Sequence, residues 1–358
     1  MEVGSIFEIN PRDLFAVSNE SSSAFPFEGK AKWNFSYFNT GRAAIEALLI
    51  FLKKGGKKIV WLPSYDCDSV LGAAKRSDIE IKYYRIDKDF RIVTDDIGEL
   101  SPDSILYVVN LFGKRERKET IEKINALQEK GVTVIEDLTL ALLAEGEGVG
   151  FGDYIIGSIR KWLPIPDGGF AASQHELPVF RKEQAGYDYT LYYLTAQLMK
   201  HEYLNDSNLD KQHFLRLSNK GMDSLFSDYT IREMSEISAR VMFNTDFIAV
   251  RRKRIENYRC LYQSLQGIQE IKLMVEPSET SVPLGMIIST EERDNLFQHL
   301  VKNGVYCNIH WRPNESTMQF ADSDYLSKHC LTIPCDQRYG KTEMDYIAQT
   351  LKNFFQHV

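Results

Sequence analysis

Helix-like and strand-like stretches alternate along the first part of the chain, and that alternation limits the fold more than any other feature of the sequence. Ala43 to Lys53 carries apolar residues at helical spacing, and Ile59 to Leu62 is a short apolar run ending at Pro63. The pattern then repeats. Ser69 to Arg76 reads as a helix, Ile79 to Tyr84 as a strand, Ser104 to Leu111 as a strand, Lys118 to Lys130 as a helix and Val132 to Ile135 as a strand. Strands separated by helices imply a mainly parallel α/β sheet. Such sheets bind ligands beyond the carboxyl ends of their strands, so Ser64 to Asp68, Asn110 and Glu136 to Thr139 become candidate site segments.

At 358 residues the chain suits about two domains. A charged helical pattern from Tyr229 to Leu265 is followed by a change of composition, with strand-like runs at Ile271 to Val275 and Leu284 to Ile288 and helical ones at Glu291 to Asn303 and Glu343 to Phe355. We therefore expect a large domain over 1–245, including an N-terminal arm, and a smaller C-terminal α+β domain over 246–358. Residues 186–224 are aromatic, polar and poorly periodic, and the pattern predicts a loop-rich insertion.

Composition removes several classes of function. With 43% hydrophobic residues the chain can bury a core, and the net charge of -7 is spread along it, so no nucleic-acid surface is expected. No run approaches the ~20 apolar residues of a membrane span, and the N-terminus lacks the features of a signal peptide; the expectation is a cytoplasmic protein with no membrane partner. The cysteines, at 67, 260, 307, 330 and 335, form no CxxC pair, which supports neither a disulfide framework nor a metal site.

Three features together point to one cofactor. FNTGRAAIEAL sets Gly41 at the start of a helix, where free N–H groups and the positive end of the macrodipole favour an anion, and Arg42 adds a planar donor fork suited to phosphate. VIED, at Val134 to Asp137, closes a buried strand with two adjacent carboxylates, of which alternation lets only one face a site. GSIRKWLPIPDGG places Lys161 after Ser158 and before Gly168 and Gly169. Pyridoxal 5'-phosphate needs an amine for its aldehyde, donors for its phosphate and a carboxylate for its ring nitrogen.

These residues give the chain a resemblance to the DegT/DnrJ/EryC1/StrS aminotransferases, a family of fold-type I pyridoxal-phosphate enzymes known for making amino sugars. Thr40-Gly41-Arg42-Ala43-Ala44 is similar to the family's helix-opening segment, and Val134 to Asp137 is similar to its strand end. Gly152-Asp153, Ser158, Lys161 and Gly168-Gly169 follow the family's order, and Met234-Ser235-Glu236 and the segment LTIPCDQRYGKTEMDYI resemble later motifs. The resemblance implies a large domain with a mainly parallel seven-stranded-type sheet, a smaller C-terminal α+β domain and a homodimer. It implies catalytic roles for Lys161 and Asp137, and a cofactor site drawn from Gly41, Arg42, Tyr65, Cys67, Asp137, Thr139, Ser158 and Lys161, with no metal. Tyr65 is the better ring stacker by chemistry, whereas Cys67 falls nearer the family's position for that group.

The chain also departs from the family. Ser158 stands three residues before the lysine rather than five, Leu138-Thr139-Leu140 replaces Ala-Ala-Gln, and the family's cross-subunit asparagine has no counterpart in SDYTIREMSE. His310, in NIHWRP, reads as structural more readily than as a substrate contact. The implied reaction moves an amino group from an amino acid, with glutamate the expected donor, to a keto acceptor that includes nucleotide-linked keto sugars. A lyase, aldolase or dehydratase on the same cofactor, or a silent sugar-nucleotide-binding relative, are the alternatives.

Overall fold

The computed structural model describes residues 1–15, 33–206, 208–314 and 317–356; the remainder of the expected N-terminal arm, 16–32, lies outside the described residues. In chain order the elements begin with β1 (Val3–Gly4), α1 (Pro11–Leu14), β2 (Asn34–Phe38), α2 (Gly41–Lys54), β3 (Ile59–Pro63), α3 (Asp68–Arg76), β4 (Glu80–Tyr84), β5 (Ser104–Val109), α4 (Lys118–Glu129) and β6 (Thr133–Asp137). They continue with β7 (Tyr154–Ser158), β8 (Gly169–Ser173), α5 (Tyr187–Asn205), α6 (Gln212–Ser227), α7 (Glu236–Phe243) and α8 (Phe247–Leu265). The last part holds β9 (Lys272–Leu273), β10 (Met286–Ser289), α9 (Arg293–Lys302), β11 (Val305–Tyr306), α10 (Ala321–His329), β12 (Cys330–Ile333) and α11 (Lys341–Phe355).

The chain divides into two compact units. The first comprises Met1–Ser5, Lys53–Asp153 and Ile248–Val358, and the second Ile6–Leu52 and Tyr154–Phe247. The mainly parallel central sheet counts seven strands, as the family resemblance implied. Four belong to the first unit, where β3 pairs in parallel with both β4 and β5, and β5 in parallel with β6. Three belong to the second, where β8 pairs antiparallel with β2 and with β7.

Burial explains why the strands read as they do. In SILYVV of β5 five of six residues are buried, a run typical of a strand covered on both faces. EIKYY of β4 alternates exposed and covered residues, as an edge strand must when one face meets water. The core under these strands joins Tyr65, Tyr84, Phe90, Leu106, Phe112, Ile124 and Val134. A second cluster in the same unit gathers Leu261, Ile288, Leu296, Leu331, Ile347 and Leu351 around the antiparallel sheet of order β12-β10-β9.

Two expectations need correction. Residues 186–224 are not loop-rich: they form the body of α5 and α6, which pack closely enough that a Cβ on Gly221 would sit 3.3 Å from Tyr193 N. Their periodicity was hidden because α5 buries polar side chains. Lys200 is 4% exposed, and its ammonium donates to Ile6 O at 2.6 Å and pairs with Glu8 at 3.1 Å. The helical pattern from Tyr229 to Leu265 is likewise two helices, α7 and α8, parted at Asn244, Thr245 and Asp246, where Asn244 serves as C-cap. Short polar side chains bond to nearby backbone and so favour helix ends.

Candidate active site

In the second unit the turn from β2 into α2 lies on glycines. Phe38 pairs with Gly169 across the sheet, and a Cβ on Gly169 would fall 2.2 Å from both Gly41 N and Thr40 C. Any larger residue at 169 would push this turn away. A Cβ on Gly41 would in turn meet Ser158 Cβ at 3.3 Å, so the helix start and the end of β7 enclose a cradle that a side chain would fill. Thr40 caps α2, its Oγ1 accepting from Ala43 N at 3.0 Å. Among the described residues the Gly41 N–H and the Ser158 hydroxyl have no hydrogen-bond partner, and Ser158 is 7% exposed.

Lys161 ends a single 3-10 turn, Ile159–Lys161, that follows β7 directly. The loop it begins is tied at its far end: Ile159 N and Arg160 N donate to Gly168 O at 2.9 and 3.3 Å, and Gly168 N donates to Asn39 O at 2.7 Å. Gly168 adopts φ +137°, which L side chains rarely take, so glycine is required there. The Lys161 side chain is half-buried, and its amine makes no ion pair or hydrogen bond among the described residues. An amine left free in a tied loop suits a covalent role.

In the first unit the strand end at Glu136 and Asp137 separates its two carboxylates. Asp137 Oδ2 accepts from Tyr107 Oη at 2.6 Å and Oδ1 from Thr139 N at 2.7 Å. Burial first, and the Asp137 carboxylate second, hold the Tyr107 hydroxyl well above its usual range, so it stays a donor. Glu136, fully buried, accepts through one oxygen from Gly150 N, Phe151 N and Gly152 N at 2.9, 3.0 and 3.3 Å, and fastens that loop. Desolvation pushes Glu136 up to about 7 against the lowering effect of those N–H groups. Asp153 completes the loop by accepting from Val134 N at 2.7 Å.

Other predicted site residues have different surroundings. The Arg42 guanidinium donates to Leu225 O at 2.8 Å and to Asp228 O at 2.7 Å, and lies 4.6 Å from the Tyr229 ring centre. It grips the carboxyl end of α6, and those carbonyls explain the cation that looked odd at a helix start. Tyr65 is fully buried, stacked on Phe90 at 5.8 Å and tilted against Trp311 at 5.1 Å, with its hydroxyl bonded to His310 O. It is packing, and its ring faces are taken. Cys67 is partly exposed as the N-cap residue of α3, and Thr139 is partly exposed just after Asp137. His310 is held by Thr332 Oγ1 at 2.8 Å, in keeping with the structural reading.

Two groups were missed. Tyr107 looks like core within its apolar strand and reveals its hydrogen bond only once β5 lies beside β6. Asp167 precedes the glycine pair and was passed over, yet it is 1% exposed and bonded to Ser235 and Ser238. The signal available was its place between Lys161 and the glycines.

Within the second unit, and among the described residues, the Gly41 N–H, the Ser158 hydroxyl and the Lys161 amine are donors of the kinds that a phosphate and an aldehyde need; within the first, Asp137 is a held carboxylate. The α/β fold is that of the fold-type I pyridoxal-phosphate enzymes. Residues 203–352 match the family model of the DegT/DnrJ/EryC1/StrS aminotransferase family. On that match the later part of the chain is similar to the aminotransferases of this family.

Solved structures share the fold over nearly the whole length. DesV from S. venezuelae is 16% identical with a TM-score of 0.64, the match covering 90% of this chain and 85% of that one. The sugar aminotransferase CalS13 from Micromonospora echinospora is 14% identical, with a TM-score of 0.61 and coverage of 89% and 87%. NtdA from Bacillus subtilis, solved with bound cofactor PMP, is 16% identical, with a TM-score of 0.59 and coverage of 90% and 73%. No curated protein matches the sequence. Among the described residues no helix is long and apolar enough to cross a membrane.

Proposed function

We propose that the protein transfers an amino group from an amino acid, glutamate being the expected donor, to the keto group of a nucleotide-linked sugar, and that it works as a homodimer. The observation that carries this reading is the free amine of Lys161, set in a glycine-tied loop directly after the Ser158 end of the cradle. The sugar acceptor rests on the family match and on the names of the structural neighbours.

Pyridoxal phosphate, when bound, supplies an aldehyde and a ring that draws electrons from the substrate's α-carbon. Lys161 would be the residue that holds the cofactor through its aldehyde, and its Nζ would serve as the base that moves the proton of the substrate α-carbon. The resemblance assigns Asp137 the part of the carboxylate that would keep the ring nitrogen protonated. Gly41 N–H and Ser158 Oγ would hold the phosphate, whose charge the positive end of α2 would favour. Thr139 and Cys67 are the remaining residues assigned to the cofactor; Arg42 and Tyr65 leave the set because their side chains are engaged elsewhere.

Purified protein loaded with pyridoxal phosphate should show a visible band that borohydride fixes onto Lys161, with the mass increase on the peptide holding 161. Nitrogen-15 from labelled glutamate should then reach a keto-sugar nucleotide. A protein that stays colourless with excess cofactor overturns the assignment, and label released only as ammonia overturns the transfer.

A further inference from the structure

Asp167 has a chemistry that the cofactor assignment does not use. It lies six residues after Lys161, in the loop WLPIPDGG, where two prolines remove N–H donors and leave few ways to anchor the backbone. Its carboxylate is 1% exposed and collects donors from one place: Ser235 N at 2.9 Å, Ser235 Oγ at 2.6 Å, and Ser238 Oγ. Asp167 N donates back to Ser238 Oγ at 3.3 Å. Both serines are fully buried, and Ser235 is also the N-cap of α7, accepting from Ser238 N. A carboxylate that meets the amide and hydroxyl of the N-cap residue and a first-turn hydroxyl is favoured by the helix dipole and by the charge-assisted bonds.

The neighbouring contacts reinforce the direction of the force. Tyr189 Oη donates to Pro166 O at 2.6 Å, and Gly168 N donates to Asn39 O at 2.7 Å, so the residues on either side of Asp167 are tied as well. A Cβ on Gly168 would meet Met234 Cε at 3.3 Å, which leaves no slack between the loop and the residue just before Ser235. The lysine loop is thus fastened at its far end, and only the turn from Ile159 to Lys161 separates β7 from the amine.

We infer that Asp167 is a positioning residue: its carboxylate latches the Lys161 loop to the N-terminus of α7 through Ser235 and Ser238, and thereby fixes where the Lys161 amine stands. The inference rests on the proposed role of Lys161, but the latch itself is testable without it.

The first measurement is hydrogen exchange on the cofactor-free protein. Asp167→Ala should speed exchange of the amides in 159–168 at least tenfold while β5 peptides stay within twofold. Ser238→Ala, which keeps the Ser235 bonds, should give a smaller increase in the same peptides. Asp167→Asn keeps one acceptor and should fall between, and it stands in, with Ser238→Ala, should Asp167→Ala fail to fold. Unchanged exchange in 159–168, or an increase spread evenly over both units, overturns the latch. On loaded protein the same variants should lower kcat by tenfold or more with KM for the amino donor within threefold, and should weaken the borohydride-fixable band. A KM rise with kcat unchanged argues against positioning. If wild-type protein takes up no cofactor, the proposed function fails while the exchange result still decides the latch.

Discussion

Tyr107 Oη donates to Asp137 Oδ2 at 2.6 Å from the neighbouring parallel strand, and both residues are buried. The bond joins a donor kept protonated by its surroundings to a charged acceptor, the kind that contributes roughly 1.5–3 kcal/mol. Tyr107→Phe should cost about 2 kcal/mol in urea unfolding, and because it frees the carboxylate to turn, it should weaken pyridoxal phosphate binding several-fold. Loss of stability with unchanged cofactor affinity would separate Asp137 from the ring nitrogen.

Glu136, one residue earlier, gives an expectation about pH. Its folded value is pushed up to about 7 from an ordinary 4.5 by desolvation, so between those limits the folded state holds a proton that the unfolded state has released. Its contribution is therefore fully present below pH 4.5 and is lost as pH rises through 7. A gap of this size corresponds to about 3 kcal/mol at most. Glu116 is also pushed up to about 7 by burial, so the wild-type slope mixes two groups. Glu136→Gln keeps an acceptor for the three N–H groups and should flatten the fall in stability between pH 5 and 8. An identical slope in both proteins would assign the titration to Glu116 or elsewhere.

Much of this arrangement was legible before the structure. The parallel strands and α2 to α4 declare themselves because one set reads as buried apolar runs and the other as a 3.6-residue stripe. VIED announced that its two carboxylates part company, although only the partners Tyr107 and Gly150 to Gly152 decide which acid is which. What stayed hidden depends on distant residues. Arg42 looks like a phosphate ligand until the chain brings Leu225 O and Asp228 O to it, and Tyr65 looks like a stacker until Phe90 and Trp311 cover it. In α5 the buried Gln197 and Lys200 break the apolar stripe that would have marked a helix.

The new place of Arg42 makes its own claim. Arg42→Leu removes two hydrogen bonds to carbonyls at the end of α6 and the contact with Tyr229, which should cost about 1–2 kcal/mol and speed hydrogen exchange over 222–229. Cofactor affinity should remain within about twofold, since the guanidinium is spent on the helix. A tenfold weaker cofactor with α6 unaffected would restore the arginine to the phosphate.

The glycine beneath the cradle supplies the most severe expectation. At Gly169 an added Cβ would lie 2.2 Å from Gly41 N and Thr40 C, and because these are backbone atoms no rotamer can relieve the overlap. Either β8 must leave its register with β2 or the start of α2 must move, and both displace the proposed phosphate seat. Gly169→Ala should therefore cost about 3 kcal/mol or prevent folding, at the upper end of overpacking effects. Gly72, inside α3, is the matched control: its added Cβ would meet only the mobile end of Arg76 at 3.2 Å, so Gly72→Ala should stabilise by about 0.5–1 kcal/mol through helix propensity. Thermal unfolding and cofactor titration of the pair decide the matter, and a Gly169→Ala protein as stable and as well loaded as wild type would show that the turn at Thr40 and Gly41 does not rest on β8.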